Sequence, residues 1–250
     1  MRVVFLGTGG YHPSEERHTA CLMFPEQGIV FDAGTGAFRI PRHLATPGLD
    51  VFLTHAHLDH VAGLTYLLAP LVMKQIDAVR VHATATVLTA LREHLFSSAL
   101  FPVMPAFDLR PLSGASLQIG GATVTWQKLP SHPGGSMAYR ITSPTNGCAA
   151  RSLAYVTDTT ADGSYVDFVS GADVLVHECY FPDALEDWAI KTGHSTTSKV
   201  LRAAAEADVG RLVLVHADPR STGDDPLGVE AVRPIFPKVQ VARDGIEIEV

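Results

Sequence analysis

Twelve histidines are spread through the 250 residues, and their densest group is Thr54-His55-Ala56-His57-Leu58-Asp59-His60. Histidine is the commonest metal ligand and the usual proton shuttle near neutral pH. The string directly follows the apolar run Asp50-Val51-Phe52-Leu53. In extended chain His55 and His57 point the same way, because side chains alternate with period two. Asp59 then falls where a helix starts, Val61 onward, a position that suits a capping carboxylate. Four ligand-type side chains therefore converge at a strand-to-helix corner. The plain alternative, surface histidines beside an ordinary capping Asp, accounts poorly for so many ligand types in seven residues.

Two imidazoles are too few for a catalytic metal, which usually takes three protein ligands and keeps a position for water or substrate. Three further residues offer themselves. His132 follows the strand Val124–Lys128, Asp158 ends the strand Leu153–Val156, and His216 ends Leu212–Val215 and opens the loop Ala217-Asp218-Pro219-Arg220. All three stand at the C-terminal edge of a buried strand, where ligand sites in α/β sheets collect. Alone, a strand-end histidine is usually a hydrogen-bonded structural residue; beside the first motif the ligand reading takes precedence.

The elements that must position these residues follow from the apolar pattern. Runs bounded by Gly, Pro and Asp predict strands at Val3–Leu6, Ala20–Phe24, Ile29–Phe31, Val51–Leu53 and Val79–Val81. A second series lies at Leu117–Ile119, Val124–Lys128, Met137–Thr142, Leu153–Val156, Val174–Val176, Leu212–Val215 and Val239–Val241. Helical periodicity marks Val61–Leu68, Thr84–Phe96 and Thr197–Ala207, and more weakly Val166–Ser170, Pro182–Ile190 and Gly228–Ile235. This is a mixed α/β chain rather than strict βαβ alternation. No linker divides it, so one domain over 1–250 is expected, with room for two similar halves meeting near residue 120.

Composition narrows the function classes. A chain of this length buries roughly 70–75% of its unfolded surface and needs no disulfide to own a core. The formal charge is −7 with no run of Lys or Arg, which argues against duplex DNA or long RNA as partners. No window reaches about 18 uninterrupted apolar residues, and the start reads as a strand and glycine turn rather than a signal peptide. Cys21, Cys148 and Cys179 match no metal-ribbon spacing and suit a reduced, cytoplasmic setting. Gly7-Thr8-Gly9-Gly10-Tyr11-His12 lacks the third glycine of a dinucleotide fingerprint. His82 and His94 read as structural or surface residues. His12, Arg17 and His18, in the loop after the first strand, are candidates to line a pocket, and His43 has no evident role.

In order along nearly the whole chain, these residues resemble the metallo-β-lactamase superfamily and, within it, the ribonuclease Z-like phosphodiesterases. The likeness runs from Leu6-Gly7-Thr8-Gly9 and Phe31-Asp32-Ala33-Gly34-Thr35-Gly36 through the His55–His60 string to His132 with Tyr139-Arg140-Ile141. It continues through Ala154-Tyr155-Val156-Thr157-Asp158-Thr159, Val176-His177-Glu178, Gly193-His194-Ser195-Thr196 and His216. The first histidine motif is shared by the superfamily; the Gly-His-Ser-Thr and His-to-Tyr-Arg-Ile segments are more particular to the ribonuclease Z branch.

The resemblance implies a four-layer αββα sandwich of two mixed β-sheets flanked by helices. It also implies a metal set in which His55, His57 and His132 hold one ion, Asp59, His60 and His216 hold a second, and Asp158 bridges them. The cofactors would be two divalent metal ions, zinc first, with manganese or iron as alternatives. Two cations about 3.5–4 Å apart lower the pKa of a shared water, giving a bridging hydroxide at neutral pH, and stabilise charge on substrate oxygens. Asp59 and His194 are the candidate catalytic residues, His194 as general acid for the leaving group; its plain alternative is a cap for the helix beginning near Ser195. Asp32 resembles the family's buried carboxylate that orients a ligand, and a turn Asp before Gly-Thr-Gly is the alternative reading. Glu178 and His177 are either supports of the site or a satisfied core pair. Arg220 is the candidate phosphate contact outside the metals, with a solvated loop Arg as the alternative.

The chain departs from the family in instructive places. Ribonuclease Z carries a tRNA-gripping arm between the third and fourth metal motifs, whereas His132 and Asp158 are here only 26 residues apart (158 − 132). That spacing argues against tRNA as a partner. Leu58 stands where ribonuclease Z commonly has Gly, and the loop after His216 differs as well. Position 158 is Asp rather than the Cys of the main zinc β-lactamases, and Pro130-Ser131-His132-Pro133 differs from the Pro-Gly-His-Thr of lactonases and glyoxalase-type thioesterases. The expected function is a metal-dependent phosphodiesterase acting on a small or short substrate: a cyclic nucleotide, a cyclic phosphate or a short oligonucleotide. A lactone, carboxylic-ester or thioester hydrolase, a non-catalytic metal-dependent binding protein and an oxygen-using iron relative are the alternatives. No membrane partner is expected, and the oligomeric state is left open, a homodimer included.

Overall fold

A computed structural model describes residues 1–145 and 148–250. The strands of the first half are β1 (Arg2–Gly7), β2 (Cys21–Phe24), β3 (Ile29–Phe31), β4 (Gly48–Phe52), β5 (Ala78–Ala83) and β6 (Asp108–Pro111). Those of the second are β7 (Ser116–Ile119), β8 (Ala122–Leu129), β9 (Ser136–Thr145), β10 (Cys148–Val156), β11 (Val174–Glu178), β12 (Leu212–Val215) and β13 (Val239–Val241), followed by β14 (Glu247–Glu249). They form two seven-stranded sheets, ordered β14-β1-β2-β3-β4-β5-β6 and β13-β12-β11-β10-β9-β8-β7. Each sheet is antiparallel at one end and parallel at the other, the change falling at β3–β4 in the first and at β10–β11 in the second.

Alternation along the strands builds the layers. Val3 and Phe5 face the space between the sheets, while Val4 and Leu6 face the helices outside the first. On β10, Leu153 and Tyr155 face inward and Ala154 and Val156 meet the helix Thr197–Glu206. Strands buried on both faces read as continuous apolar runs, and the resulting order of helices, sheet, sheet and helices is the four-layer sandwich expected. At its centre Phe31 stacks on Tyr139 (5.2 Å) and Tyr155 (5.8 Å) and meets Phe52 edge-on. Such pairs add about 0.5–1.5 kcal/mol each beyond area burial. Both tyrosines also carry polar handles across the interface: Tyr139 donates to the Leu53 carbonyl (2.6 Å) and Tyr155 to Asp32 Oδ2 (3.1 Å). The Tyr139-Arg140-Ile141 segment thus ties the second sheet to the strand that leads into His55.

Several expectations need correction. Strands β6 and β14 were not anticipated, because Asp108-Leu109-Arg110-Pro111 and Glu247-Ile248-Glu249 are short and mostly exposed edge strands, and edges are kept charged or proline-capped against stray pairing. Ala20 lies outside β2. The helix expected over Val61–Leu68 begins at Leu58 and passes through a 3₁₀ stretch, Ala62–Leu67, to a second short helix, Leu68–Val72. Thr84 caps the next helix, Ala85–Ala90, which widens into a π turn over Leu91–Leu95. Cys21 and Cys179 are buried free thiols; the Cys148 side chain lies outside the described residues. Among the described residues no helix is long and apolar enough to cross a membrane.

Candidate active site

The residues singled out above lie at the strand tips of both sheets, on one side of the sandwich. Asp32 follows β3, His55 and His57 follow β4, Asp158 follows β10, Glu178 ends β11 and His216 follows β12. Asp32, Asp158 and His216 all have left-handed backbone, with φ of 57°, 52° and 58°. A non-glycine residue held there costs on the order of 1–3 kcal/mol, and such strain collects at functional sites. The turn it makes at each strand end swings the side chain toward the seam between the sheets.

Asp32 is fully buried and saturated. Its Oδ1 accepts from the Thr54 backbone N–H (2.8 Å), and its Oδ2 accepts from His60 Nδ1 (2.8 Å) and the Tyr155 hydroxyl. Because the His60 proton is committed to Asp32, its Nε2 presents a lone pair. That lone pair faces Asp158 Oδ2 at 3.1 Å, His216 Nε2 at 3.1 Å and Asp59 Oδ2 at 3.4 Å. Burial disfavours charge on His60, yet Asp158, Asp59 and Asp32 around it raise its pKa well above the usual imidazole value. The same histidines hold Asp158 well below the ordinary carboxyl value against its own burial, His216 contributing most. The cluster calls for positive charge at its centre.

Asp158 spans two groups. Its Oδ1 lies 3.8 Å from His55 Nε2 and 3.7 Å from His132 Nε2, and its Oδ2 lies 3.1 Å from His60 Nε2 and 3.5 Å from His216 Nε2. His57 Nδ1 meets His132 Nε2 at 3.2 Å, while His132 Nδ1 donates to the Gly193 carbonyl. Among the described residues His55 Nε2, on the side of Asp158, is buried with no hydrogen-bond partner, as is His216 Nδ1 on the ring edge away from the cluster. Nitrogens facing nitrogens and carboxylates, with His55 Nε2 left orphaned among them, fit a metal far better than a closed hydrogen-bond network. The sets His55-His57-His132, His55-His60-Asp158 and Asp59-His60-His216 each bring their donor atoms within 4.8 Å of one another.

Asp59 corrects the capping expectation. The helix starts at Leu58, and no side chain caps it. Asp59 Oδ2 instead accepts from the Tyr11 backbone N–H (2.8 Å) and approaches His216 Nε2 (3.3 Å). His194 does not cap a helix either: its Nδ1 lies 3.1 Å from Glu178 Oε1 and its ring stacks on Tyr180 at 4.8 Å. Burial disfavours its charge, but Glu178 outweighs burial and the pKa is pushed up to about 9. Glu178 itself is fully buried and accepts from the Thr159 and Ser195 backbone N–H groups. The structure separates it from His177, which pairs with Tyr165 in the core.

A cavity of about 530 Å³ opens on this cluster, lined on the cluster side by His57, Asp59, His132, Asp158, His194 and His216. Arg220 reaches its rim, but its guanidinium is engaged by Asp218 and its side chain is 67% exposed. The expected pocket residues of the first loop turn elsewhere. Arg17 donates to Thr8 and to the Ala242 carbonyl, His18 packs on Phe38, and His12 stays outside the lining. Tyr11 lines the cavity in their place, together with Tyr180, Phe181, Leu185, Trp188 and Thr192. Sequence reasoning missed these; the one signal available was the 185–188–192 spacing, which puts three side chains on one helical face. His82 is structural, bonded to Asp50, and His94 is exposed.

Comparison with known proteins fits this geometry. Residues 27–217 match the family described as a beta-lactamase superfamily domain. The ribonuclease Z of Archaeoglobus fulgidus is 26% identical, the comparison covering 100% of this chain and 98% of that protein, and the ribonuclease Z of a Synechococcus strain is 28% identical at the same coverage. Among solved structures, the metallo-β-lactamase fold protein YhfI of Bacillus subtilis superposes with a TM-score of 0.78 at 21% identity over 99% of both chains. The short form of human tRNase Z gives 0.77 at 22% identity, over 100% of this chain and 99% of that one. The Archaeoglobus comparison runs over 302 positions against 250 residues, so that relative carries segments this chain does not.

Proposed function

The chain belongs to the beta-lactamase superfamily of metal-dependent hydrolases, and from that premise we propose that it hydrolyses a small or short phosphodiester with two divalent cations. Zinc is the first candidate, since imidazole suits it, and manganese or iron can occupy the same donors. The carrying observation is Asp158, whose two oxygens face two separate histidine groups. His55, His57 and His132 would hold one cation and Asp59, His60 and His216 the other, with Asp158 between them. Bound there, the pair would supply Lewis-acid stabilisation of phosphoryl oxygens and a nucleophile drawn from water at neutral pH.

The chain's own residues supply the rest. Asp32 holds His60 in the tautomer that turns Nε2 inward, and the Tyr11 N–H fixes Asp59. Departure of an alkoxide needs a proton at the leaving oxygen. His194, with Nδ1 on Glu178, carries that proton at Nε2 beside the cavity. This dyad favours a phosphodiester with a poor leaving group over an activated ester. β9 and β10 run side by side between His132 and Asp158, which are only 26 residues apart (158 − 132), so a small substrate is favoured over tRNA.

The test is parallel turnover of bis(p-nitrophenyl) phosphate and p-nitrophenyl acetate by metal-quantified protein, with Asp158→Ala as the blank. Phosphodiester cleavage lost in the variant is expected. Ester cleavage alone would move the assignment to a carboxylic-ester or lactone hydrolase, and silence on both with metals bound would favour a binding role.

A further inference from the structure

We propose that the cavity selects its substrate by a planar aromatic group, the nucleobase of a nucleoside phosphodiester, laid against a wall formed by Tyr11, Tyr180 and Trp188. The inference rests on the phosphodiesterase reading and names the substrate class of that same site. The wall begins at the proton donor, where Tyr180 stacks on His194 with ring planes 20° apart. It continues along the helix Glu186–Thr192 and the residue before it, whose Leu185, Trp188 and Thr192 share one face and line the cavity. Ala189, on another face of that helix, is buried with Tyr180 and Phe181, which fixes the orientation of Trp188.

Folding buries Tyr180 against His194 and leaves the other two aromatic side chains of this wall uncovered. Trp188 is 54% exposed and Tyr11 69% exposed, yet both line a concave space of about 530 Å³, a volume in the range of small-molecule sites. Positive charge is sparse here: Lys191 Nζ lies 4.8 Å over the Trp188 ring and is itself outside the cavity lining. Among the described residues lining the cavity Arg220 is the sole Arg or Lys, and Asp218 occupies it. One phosphate at the acid–histidine cluster is provided for, a polyanion is not. Aromatic faces bind any base through its π surface and need no further charge.

Trp188 also supplies the reporter. The chain has two tryptophans, and Trp126 packs against the core between the sheets, so Trp126→Phe leaves Trp188 as the single emitter. Zinc-loaded Trp126→Phe protein would be titrated with adenosine 5′-monophosphate, ribose 5-phosphate and octyl phosphate. Saturable quenching by the nucleotide alone, weakened about tenfold or more by Tyr11→Ala, is the expected result. Equal quenching by ribose 5-phosphate or octyl phosphate, or none by the nucleotide, would overturn the proposal. Turnover of bis(p-nitrophenyl) phosphate on the same protein separates the two claims. Nucleotide-selective quenching without phosphodiester cleavage contradicts the hydrolase reading and upholds the aromatic subsite; cleavage without selectivity does the reverse.

Discussion

Asp50 and Asp32 are both buried carboxylates bonded to a histidine, and they belong to clusters of opposite character. Asp50 sits within β4 in regular register with Arg80 on β5, and it accepts from Arg80 and from His82 Nε2 (2.7 Å). Both oxygens of that carboxylate are taken up inside the chain, and an arginine balances the charge. Asp32 sits past the end of β3 with left-handed backbone, and the histidine it orients points a lone pair at two more carboxylates and another imidazole. A closed acid–histidine–arginine group stabilises a sheet; an open one at strand tips is built to receive something.

That contrast can be broken in order of effect. Asp158→Ala is expected to bring phosphodiester turnover down to the no-enzyme background while the protein still folds cooperatively, with its melting temperature lowered by the metal it no longer binds; retained turnover would dissolve the distinction. Asp50→Ala should do the opposite, costing about 1–3 kcal/mol because buried His82 loses its acceptor while the partly exposed Arg80 is left to solvent, with kcat of the folded protein unchanged. Urea unfolding and steady-state kinetics on both variants read this exchange of roles.

Smaller effects sharpen it. His194→Ala should slow substrates with alkoxide leaving groups by about 10²-fold or more, while p-nitrophenolate esters lose little; equal losses on both would remove the proton-donor role. Asp32→Asn should weaken metal affinity or activity by about 10–100-fold, measured by competition with a chelator. The closed cluster also carries a pH signature. Burial works against the Asp50 carboxylate, but hydrogen bonds from Arg80 and His82 prevail and hold its pKa below the ordinary value. Its stabilising effect is therefore complete above the unfolded carboxyl pKa of about 3.9 and fades as pH falls below it. The stability gap between the wild type and Asp50→Asn should narrow over that acid range and stay level above it.

Much of the architecture was legible because it is periodic. Strands such as β1 and β11 bury both faces and stand out as apolar runs, while β6 and β14 are exposed edges with no such signal. The His55–His60 string was legible for a local reason, since one strand-to-helix corner carries it. His132, Asp158 and His216 were found through their shared place at strand ends. The aromatic wall was not legible. Tyr11, Tyr180 and Trp188 come from three segments, and nothing in one exposed aromatic says that tertiary packing will face it toward a cavity. Asp59 was picked out as a ligand by its motif, and only the suggestion that its position suits a cap falls away, because the helix begins one residue before it and its carboxylate is drawn to Tyr11 and His216.

The most direct measurement is the metal stoichiometry of the protein, by calorimetric titration of zinc into the chelator-stripped chain and elemental analysis of the product. Two tightly bound equivalents per chain, reduced in Asp158→Ala and kept in Asp50→Ala, are the expected result. Binding of no zinc, or of a single equivalent indifferent to Asp158, would contradict a site built around that carboxylate.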